Sequence, residues 1–228
     1  MKKLADSVHA HGSKIFVQLQ HPGRQSIPVF PTFWPVLERL QKVWPGVWKK
    51  AFAIFSSVST DTGSADPETL KKQQRFLKPV LAPSVLPPEE DTGALAVVKT
   101  RAFTTREIKS LVRQFIRTAE RVQKAGFDGV ELHAAHGYLF EQFLSPWTNR
   151  RTDAYGGSLE NRCRILKEII AGIHDRCGTD FPVTVRLTVD EFYEKLGHPE
   201  RGIRLQEGVE IAKLLESYGA DALNVSIA

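Results

Sequence analysis

Thr104-x-x-Glu107 opens the longest regular hydropathy pattern in the chain. Ile108, Leu111, Val112, Phe115, Ile116, Ala119 and Val122 follow at three- and four-residue spacing, which predicts an amphipathic helix behind a capping box. Lys109, Arg113, Arg117 and Arg121 occupy its other face and read as solvated. Ala125-Gly126 ends it, and Phe127–His133 reads as a strand. The same alternation then repeats. A helix is predicted over 158–177 and closed by Gly178, a strand over 183–188, a helix over 205–218 closed by Gly219, and a strand over 222–227. Near the start, a helix is expected to end by His11 at a Gly12 C-cap, with a strand over 14–19 after it. Strand and helix in turn, with glycine at each helix exit, predict right-handed βαβ units on a parallel sheet. Strand starts near 14, 128, 183 and 222 suit an α/β (β/α)8 TIM barrel. About four of its eight units are present, so an incomplete barrel is expected, and a chain opening on the last turns of a helix is expected to lack what precedes it.

Residues 27–102 break the pattern. This stretch holds nine of the 13 prolines and three of the four tryptophans, Trp34, Trp44 and Trp48. Val36–Lys50 has some helical spacing, interrupted by Pro45. The stretch reads as an irregular insertion within one partial domain spanning 1–228. Because it follows the carboxyl end of a strand, it is expected to overhang the catalytic mouth and to suit a bulky apolar substrate.

Composition excludes several classes. With 42% hydrophobic and 25% charged residues over 228 positions, the chain is not disordered, fibrous or membranous in character. The net charge of +5 suits anionic ligands without calling for nucleic acid. Cys163 and Cys177 lie on one predicted helix, about 21 Å apart at the α-helical rise, so they are expected to be separate reduced thiols of a cytoplasmic protein. The Met1-Lys2-Lys3 start has no apolar run behind it that would make a signal peptide, and Ala51–Phe55 is too short to cross a bilayer. A homo-oligomer is compatible with these patterns.

In parallel α/β sheets, chemistry gathers at the carboxyl ends of strands. Four sets of polar residues fall there: Gln18 and His21; His133, His136 and Tyr138; Arg186; Asn224 and Ser226. The His133-x-x-His136 pair has three readings: metal ligands completed by His21, structural histidines at a strand end, or hydrogen-bond donors to a developing oxyanion with Tyr138 as proton donor. Spacing alone does not choose among them.

A longer match does. Val17-Gln-Leu-Gln-His-Pro-Gly-Arg24, Ala125–Leu139 (AGFDGVELHAAHGYL), Gln142-Phe-Leu-Ser-Pro146, Asn149-Arg-Arg-Thr-Asp153, Tyr155–Arg162 (YGGSLENR) and Val185-Arg-Leu187 together resemble the Old Yellow Enzyme family of FMN-dependent ene-reductases. Arg186–Phe192 and Asp221–Ser226 are similar to the long members, the 2,4-dienoyl-CoA reductases and the bile-acid or steroid enoate reductases. The resemblance implies FMN as cofactor and NAD(P)H as electron donor. It implies an enone or enoyl thioester as substrate, with Gln18 and Arg186 contacting the pyrimidine edge of the flavin. His133 and His136 would bind the substrate carbonyl, and Tyr138 would deliver a proton to the α-carbon. It also implies that Arg150–Ser158 is a conformational anchor rather than a phosphate nest. The iron–sulfur cluster of the long members would belong only to a longer form, because no cysteine cluster is present here, and no metal is expected. The loops that hold the FMN phosphate are expected beyond residue 228, so weak flavin binding is expected. The alternatives are an inactive fragment or partner-binding pseudo-enzyme, and a metal-dependent lyase or hydrolase using His21, His133 and His136.

Overall fold

The computed structural model describes residues 1–26, 79–86 and 100–226. The helical spacing of Val36–Lys50 and the substrate-shaping role of the Trp-rich stretch lie outside the described residues. Two compact units divide the chain. One comprises Met1–Gly23, Ala82–Leu86 and Ala102–Ala228, and the other Arg24–Leu81 and Pro87–Arg101.

The first unit carries the sheet. Strands β1 (Phe16–Leu19), β4 (Gly129–Ala134), β5 (Val183–Thr188) and β6 (Ala222–Ser226) are parallel and adjacent in chain order, β1-β4-β5-β6. A doubly wound sheet would reverse direction at a switch point, whereas this one winds in a single sense. That winding is the one of a (β/α)8 barrel, and the described residues form four of its strands. Strands β2 (Val80–Ala82) and β3 (Thr100–Ala102) pair with each other. The stretch expected to be irregular over 27–102 therefore contains a two-stranded ribbon at its end.

Helices α1 (Lys2–His9), α2 (Thr105–Lys124), α3 (Leu139–Leu144), α4 (Leu159–Cys177) and α5 (Leu205–Ser217) complete the unit. The Thr104–Glu107 capping box forms in both directions, satisfying amides that have no partner inside α2. The Ser158 hydroxyl accepts from Asn161 N at the start of α4. The core lies on the helix side of the sheet. Val130, Leu132 and Ala134 of β4 and Val183, Val185 and Leu187 of β5 are fully buried there. Ile108, Val112 and Ala119 of α2 and Ile165, Leu166, Ile169 and Ile173 of α4 are buried as well, and α2 packs against both α4 and β4. Period-2 alternation then leaves Glu131, His133, Thr184 and Arg186 on the opposite face. Cys163 and Cys177 are both free thiols.

Two aspartates tie strand starts together at the amino-terminal end of the sheet. Asp128 donates its N–H to Ile15 O at 3.0 Å and accepts from Ile15 N through its carboxylate at 2.8 Å. Asp221 makes the same pair of bonds to Val183, at 3.0 and 2.8 Å. Lys14 and His9 also bind the Asp128 carboxylate, at 2.8 and 2.7 Å. The Lys14 contact first, then that with His9, holds its pKa well below the usual carboxylate range.

Candidate active site at the carboxyl ends of the strands

Strand register places the sequence-derived candidates in rows. Gln18 pairs with Glu131, His133 with Arg186, Arg186 with Asn224, and Thr188 with Ser226. Paired residues of parallel neighbours point to the same side, so Gln18, His133, Arg186, Asn224 and Ser226 share the face away from the helices. Glu131 joins the outer strands. Its carboxylate accepts from Gln18 Nε2 at 2.6 Å and from Asn224 Nδ2 at 3.2 Å.

His133 is buried at the end of β4, and its Nδ1 accepts the Ala135 N–H at 3.2 Å. An accepting Nδ1 puts the proton of the neutral ring on Nε2. That Nε2–H has no hydrogen-bond partner among the described residues. Burial lowers the His133 pKa, and the charges of His136 and Arg186 lower it further. His136 is lowered by burial and then by Arg186. Both rings are therefore neutral donors at neutral pH. The two ring centroids lie 5.0 Å apart, and Tyr138 meets the edge of His133 at 5.1 Å.

The turn after β4 has an unusual backbone. His136 has φ +59° and Gly137 φ +69°, two consecutive residues in the left-handed region, which a non-glycine residue enters only where its surroundings hold it. His136 N donates to Thr188 Oγ1 at 3.3 Å, and Gly137 N donates to the Glu141 carboxylate at 2.8 Å. The His136 ring reaches across the sheet to β6, where Nε2 stands 2.8 Å from Ser226 Oγ. Arg186 Nη2 approaches the same hydroxyl at 3.5 Å, while Arg186 Nε is buried with no partner among the described residues. The histidine pair is thus asymmetric: His133 turns an unengaged N–H to the site, and His136 engages Ser226.

His21 stands apart from this group. Its Nδ1 accepts Gly23 N at 3.0 Å and its ring meets the edge of Phe103 at 6.2 Å. Burial lowers its pKa. Among the described residues no three His, Cys, Asp or Glu side chains are arranged to hold a metal ion, so His21, His133 and His136 are not brought together as a ligand set. Nδ1 of both His21 and His133 is engaged by a main-chain N–H. Gly23 itself has φ +58°, and a Cβ there would lie 2.3 Å from Gln142 Oε1. The Gln142 amide nitrogen donates to Gly137 O at 2.6 Å and Pro22 O at 3.3 Å, tying the β1 loop to the β4 turn.

The 149–158 segment is consumed by internal contacts. Buried Asn149 donates to Phe143 O and Tyr155 O at 2.6 and 2.8 Å. Arg151 forks onto Asp153 at 2.9 and 2.5 Å and donates to Pro83 O and Phe103 O. The Arg151 guanidinium holds the Asp153 pKa down to about 2. Arg162 binds Leu144 O and the Glu207 carboxylate. These contacts are those of an anchor, and the guanidinium groups of Arg151 and Arg162 are turned inward.

Three residues in this network were not singled out from the sequence. Thr188 lies two positions beyond Arg186 on the same strand face, a period-2 signal that would have found it. Glu131 has the same relation to His133. Glu141 gave one cue, an acidic residue with Gln142 between the apolar pairs Leu139-Phe140 and Phe143-Leu144.

Residues 47–221 match the NADH:flavin oxidoreductase / NADH oxidase family. The chain is 37% identical to an NADH oxidase of Thermoanaerobacter brockii over 224 residues, covering 98% of this chain and 26% of that protein. It is 38% identical to a cinnamate reductase of Clostridium sporogenes over 232 residues, covering 97% of this chain and 28% of the reductase. Among solved structures, Old Yellow Enzyme from Pichia sp. AKU4542 superimposes with a TM-score of 0.62 at 31% identity, over 99% of this chain and 50% of that one. The chain therefore spans about a quarter to a half of the length of these relatives.

Proposed function

The chain belongs to the NADH:flavin oxidoreductase / NADH oxidase family, and from that premise we propose that it carries the substrate-activating face of an FMN-dependent ene-reductase. Its substrate class is an α,β-unsaturated carbonyl compound, as an enone or enoyl thioester, and its electron donor is NAD(P)H. The observation that carries this reading is the pairing of His133 and Arg186. They are register neighbours at the carboxyl end of the sheet, one with an unengaged Nε2–H and the other with a buried, unpartnered Nε.

Those groups fit a flavin. Arg186 is a permanently charged donor, and its orphaned Nε asks for an acceptor such as the oxygen-rich pyrimidine edge. Gln18 commits its amide nitrogen to Glu131 and keeps its oxygen to accept from a ring N–H. When bound, a reduced flavin supplies a hydride to the substrate's β-carbon. His133 donates its Nε2–H to the substrate carbonyl oxygen, and as a neutral donor it orients that oxygen without protonating it. His136 adds a second donor once its ring exchanges Ser226 for the carbonyl. Tyr138 gives its hydroxyl proton to the α-carbon. Leu139, Phe140, Phe143 and Leu144, all fully buried, form apolar packing after the turn that carries these groups.

The test is oxidation of NADH or NADPH under anaerobic conditions, with added FMN and 2-cyclohexenone, followed at 340 nm. Removing one donor to a developing oxyanion costs on the order of 10²-fold in turnover, so His133→Ala is expected to lose about that much. Undiminished turnover in His133→Ala, or turnover that needs no flavin, overturns the reading. Absence of turnover in the unaltered chain supports the inactive-fragment alternative instead.

A further inference from the structure

Glu141 is a buried ionisable group that the reaction above does not use. It sits in α3, a six-residue helix with every side chain buried, and is itself 1% exposed. One of its oxygens gathers two donors, Gly137 N at 2.8 Å and Thr188 Oγ1 at 2.9 Å. The Thr188 hydroxyl gives its single proton to Glu141 and accepts the His136 N–H at 3.3 Å. The other carboxylate oxygen is buried without a hydrogen-bond partner among the described residues. A carboxylate thus closes a ring of bonds around the two left-handed residues His136 and Gly137, immediately before Tyr138.

We propose that Glu141 is a positioning residue: its carboxylate clasps the His136–Tyr138 turn to the end of β5 and makes the placement of the His136 ring and the Tyr138 hydroxyl depend on its own protonation state. The inference rests on the ene-reductase reading for what those two groups do, and on geometry alone for the clasp.

The physical basis is the difference between neutral and charge-assisted hydrogen bonds. An ionised acceptor makes shorter bonds, about twice as strong as a neutral one. When Glu141 ionises, its pulls on Gly137 N and Thr188 Oγ1 strengthen together, and through Thr188 the His136 main chain follows. The surroundings put that change within a working range. Burial, and then the charge of Glu191, push the Glu141 pKa up to about 8. Glu191, in the loop after β5, is raised by burial too and accepts from Ile203 N at 2.5 Å. The other charged groups on elements around α3 are Arg162 of α4, which binds Leu144 O at the end of α3, and its partner Glu207 of α5. Arg162 is thereby committed away from Glu141. In the turn itself the ionisable side chains are those of His136 and Tyr138, on either side of Gly137, whose N–H Glu141 accepts. Among the described residues, the charge that bears on Glu141 is that of Glu191.

The experiment is a pH titration from 5 to 10 of histidine-labelled protein by nuclear magnetic resonance, without flavin or substrate. The His136 signals are expected to show, besides the titration of their own ring, an inflection near pH 8 that reports Glu141. Glu141→Gln keeps the shape and an acceptor oxygen but cannot ionise, so the inflection is expected to vanish while near-ultraviolet circular dichroism stays native. Thr188→Val cuts the link to His136 and leaves Glu141 in place, so it is expected to shrink the inflection. Thr188→Ser restores the hydroxyl and is expected to restore the inflection. An inflection that survives in Glu141→Gln, one that is undiminished in Thr188→Val, or its absence from the unaltered protein overturns the proposal. The measurement requires no turnover. A chain without enone reductase activity can still show the clasp, and a chain without the clasp can still reduce enones.

Discussion

Asn149 offers a test of how the site is held from behind. Its side chain is 3% exposed, and its amide nitrogen donates to two main-chain carbonyls, Phe143 O at the end of α3 and Tyr155 O beyond the turn, at 2.6 and 2.8 Å. Its oxygen accepts Arg151 N at 3.3 Å. Asn149→Ala removes both donors and leaves two carbonyls facing a cavity. Each unsatisfied buried polar group costs roughly 1–3 kcal/mol, so the sum is roughly 2–6 kcal/mol, a large part of the roughly 5–15 kcal/mol typical of a folded domain. Asn149→Asp keeps the shape and the acceptor but points an oxygen at two other oxygens. The introduced acid must be protonated to donate even one bond, so its folded-state pKa is raised. Stability in that variant is then expected to fall as pH rises from about 4 through the raised value, beyond any trend in the unaltered protein. Urea unfolding monitored by circular dichroism at pH 5 and pH 8 measures both effects. A loss under about 0.5 kcal/mol for Asn149→Ala, or a pH dependence of Asn149→Asp that parallels the unaltered chain, would refute the account.

Two other outcomes follow from close contacts and burial. Gly208→Ala in α5 gains about 1 kcal/mol of helix propensity, yet its Cβ would lie 2.1 Å from the Val189 carbonyl oxygen. A net loss of about 1–3 kcal/mol is expected, and a calorimetric Tm above that of the unaltered protein would contradict it. Burial raises the Glu141 pKa from 4.5 to about 8, so the folded chain holds a proton that the unfolded chain has released throughout that window. The contribution of Glu141 to stability is therefore full below pH 4.5 and is lost as pH rises through 8. Urea midpoints at pH 5, 7 and 9 should decline less steeply in Glu141→Gln, and equal slopes would count against the assignment.

Much of the fold was legible because its elements are amphipathic. The capping box at Thr104 and Glu107 and the spaced apolar residues of α2 mark that helix without tertiary information, and β5 was read over the same six residues, 183–188, that form it. The site row was legible only in part: period 2 separates His133 from Leu132 and Arg186 from Val185 within each strand, but that His133 and Arg186 share a face follows from the register between the strands. Helix α3 was not legible. Its six residues make under two turns and all are buried, Glu141 and Gln142 included, so no solvent-facing stripe with a 3.6-residue period marks it. The β2–β3 ribbon was missed because three residues are too few to show alternation. Metal ligation by His21, His133 and His136 stayed open in the sequence because spacing does not say where a ring's lone pair is spent. In the fold, main-chain N–H groups of Gly23 and Ala135 take two of those lone pairs.

The paired bonds of Asp128 to Ile15 and of Asp221 to Val183 stand at the end of the sheet opposite to the site, yet they act as its index marks. A parallel strand that slipped by one residue would exchange its two faces. His133 would then turn toward α2 and α4, and Leu132 would face the substrate. Two-point attachment at the start of a strand, at Ile15 just before β1 and at Val183 of β5, leaves no such slip available, because the carboxylate and the amide of one aspartate must meet the amide and the carbonyl of one partner. The chemistry at one end of the sheet is thereby calibrated at the other, and a fault in that calibration would appear as a well-folded protein whose histidines point the wrong way.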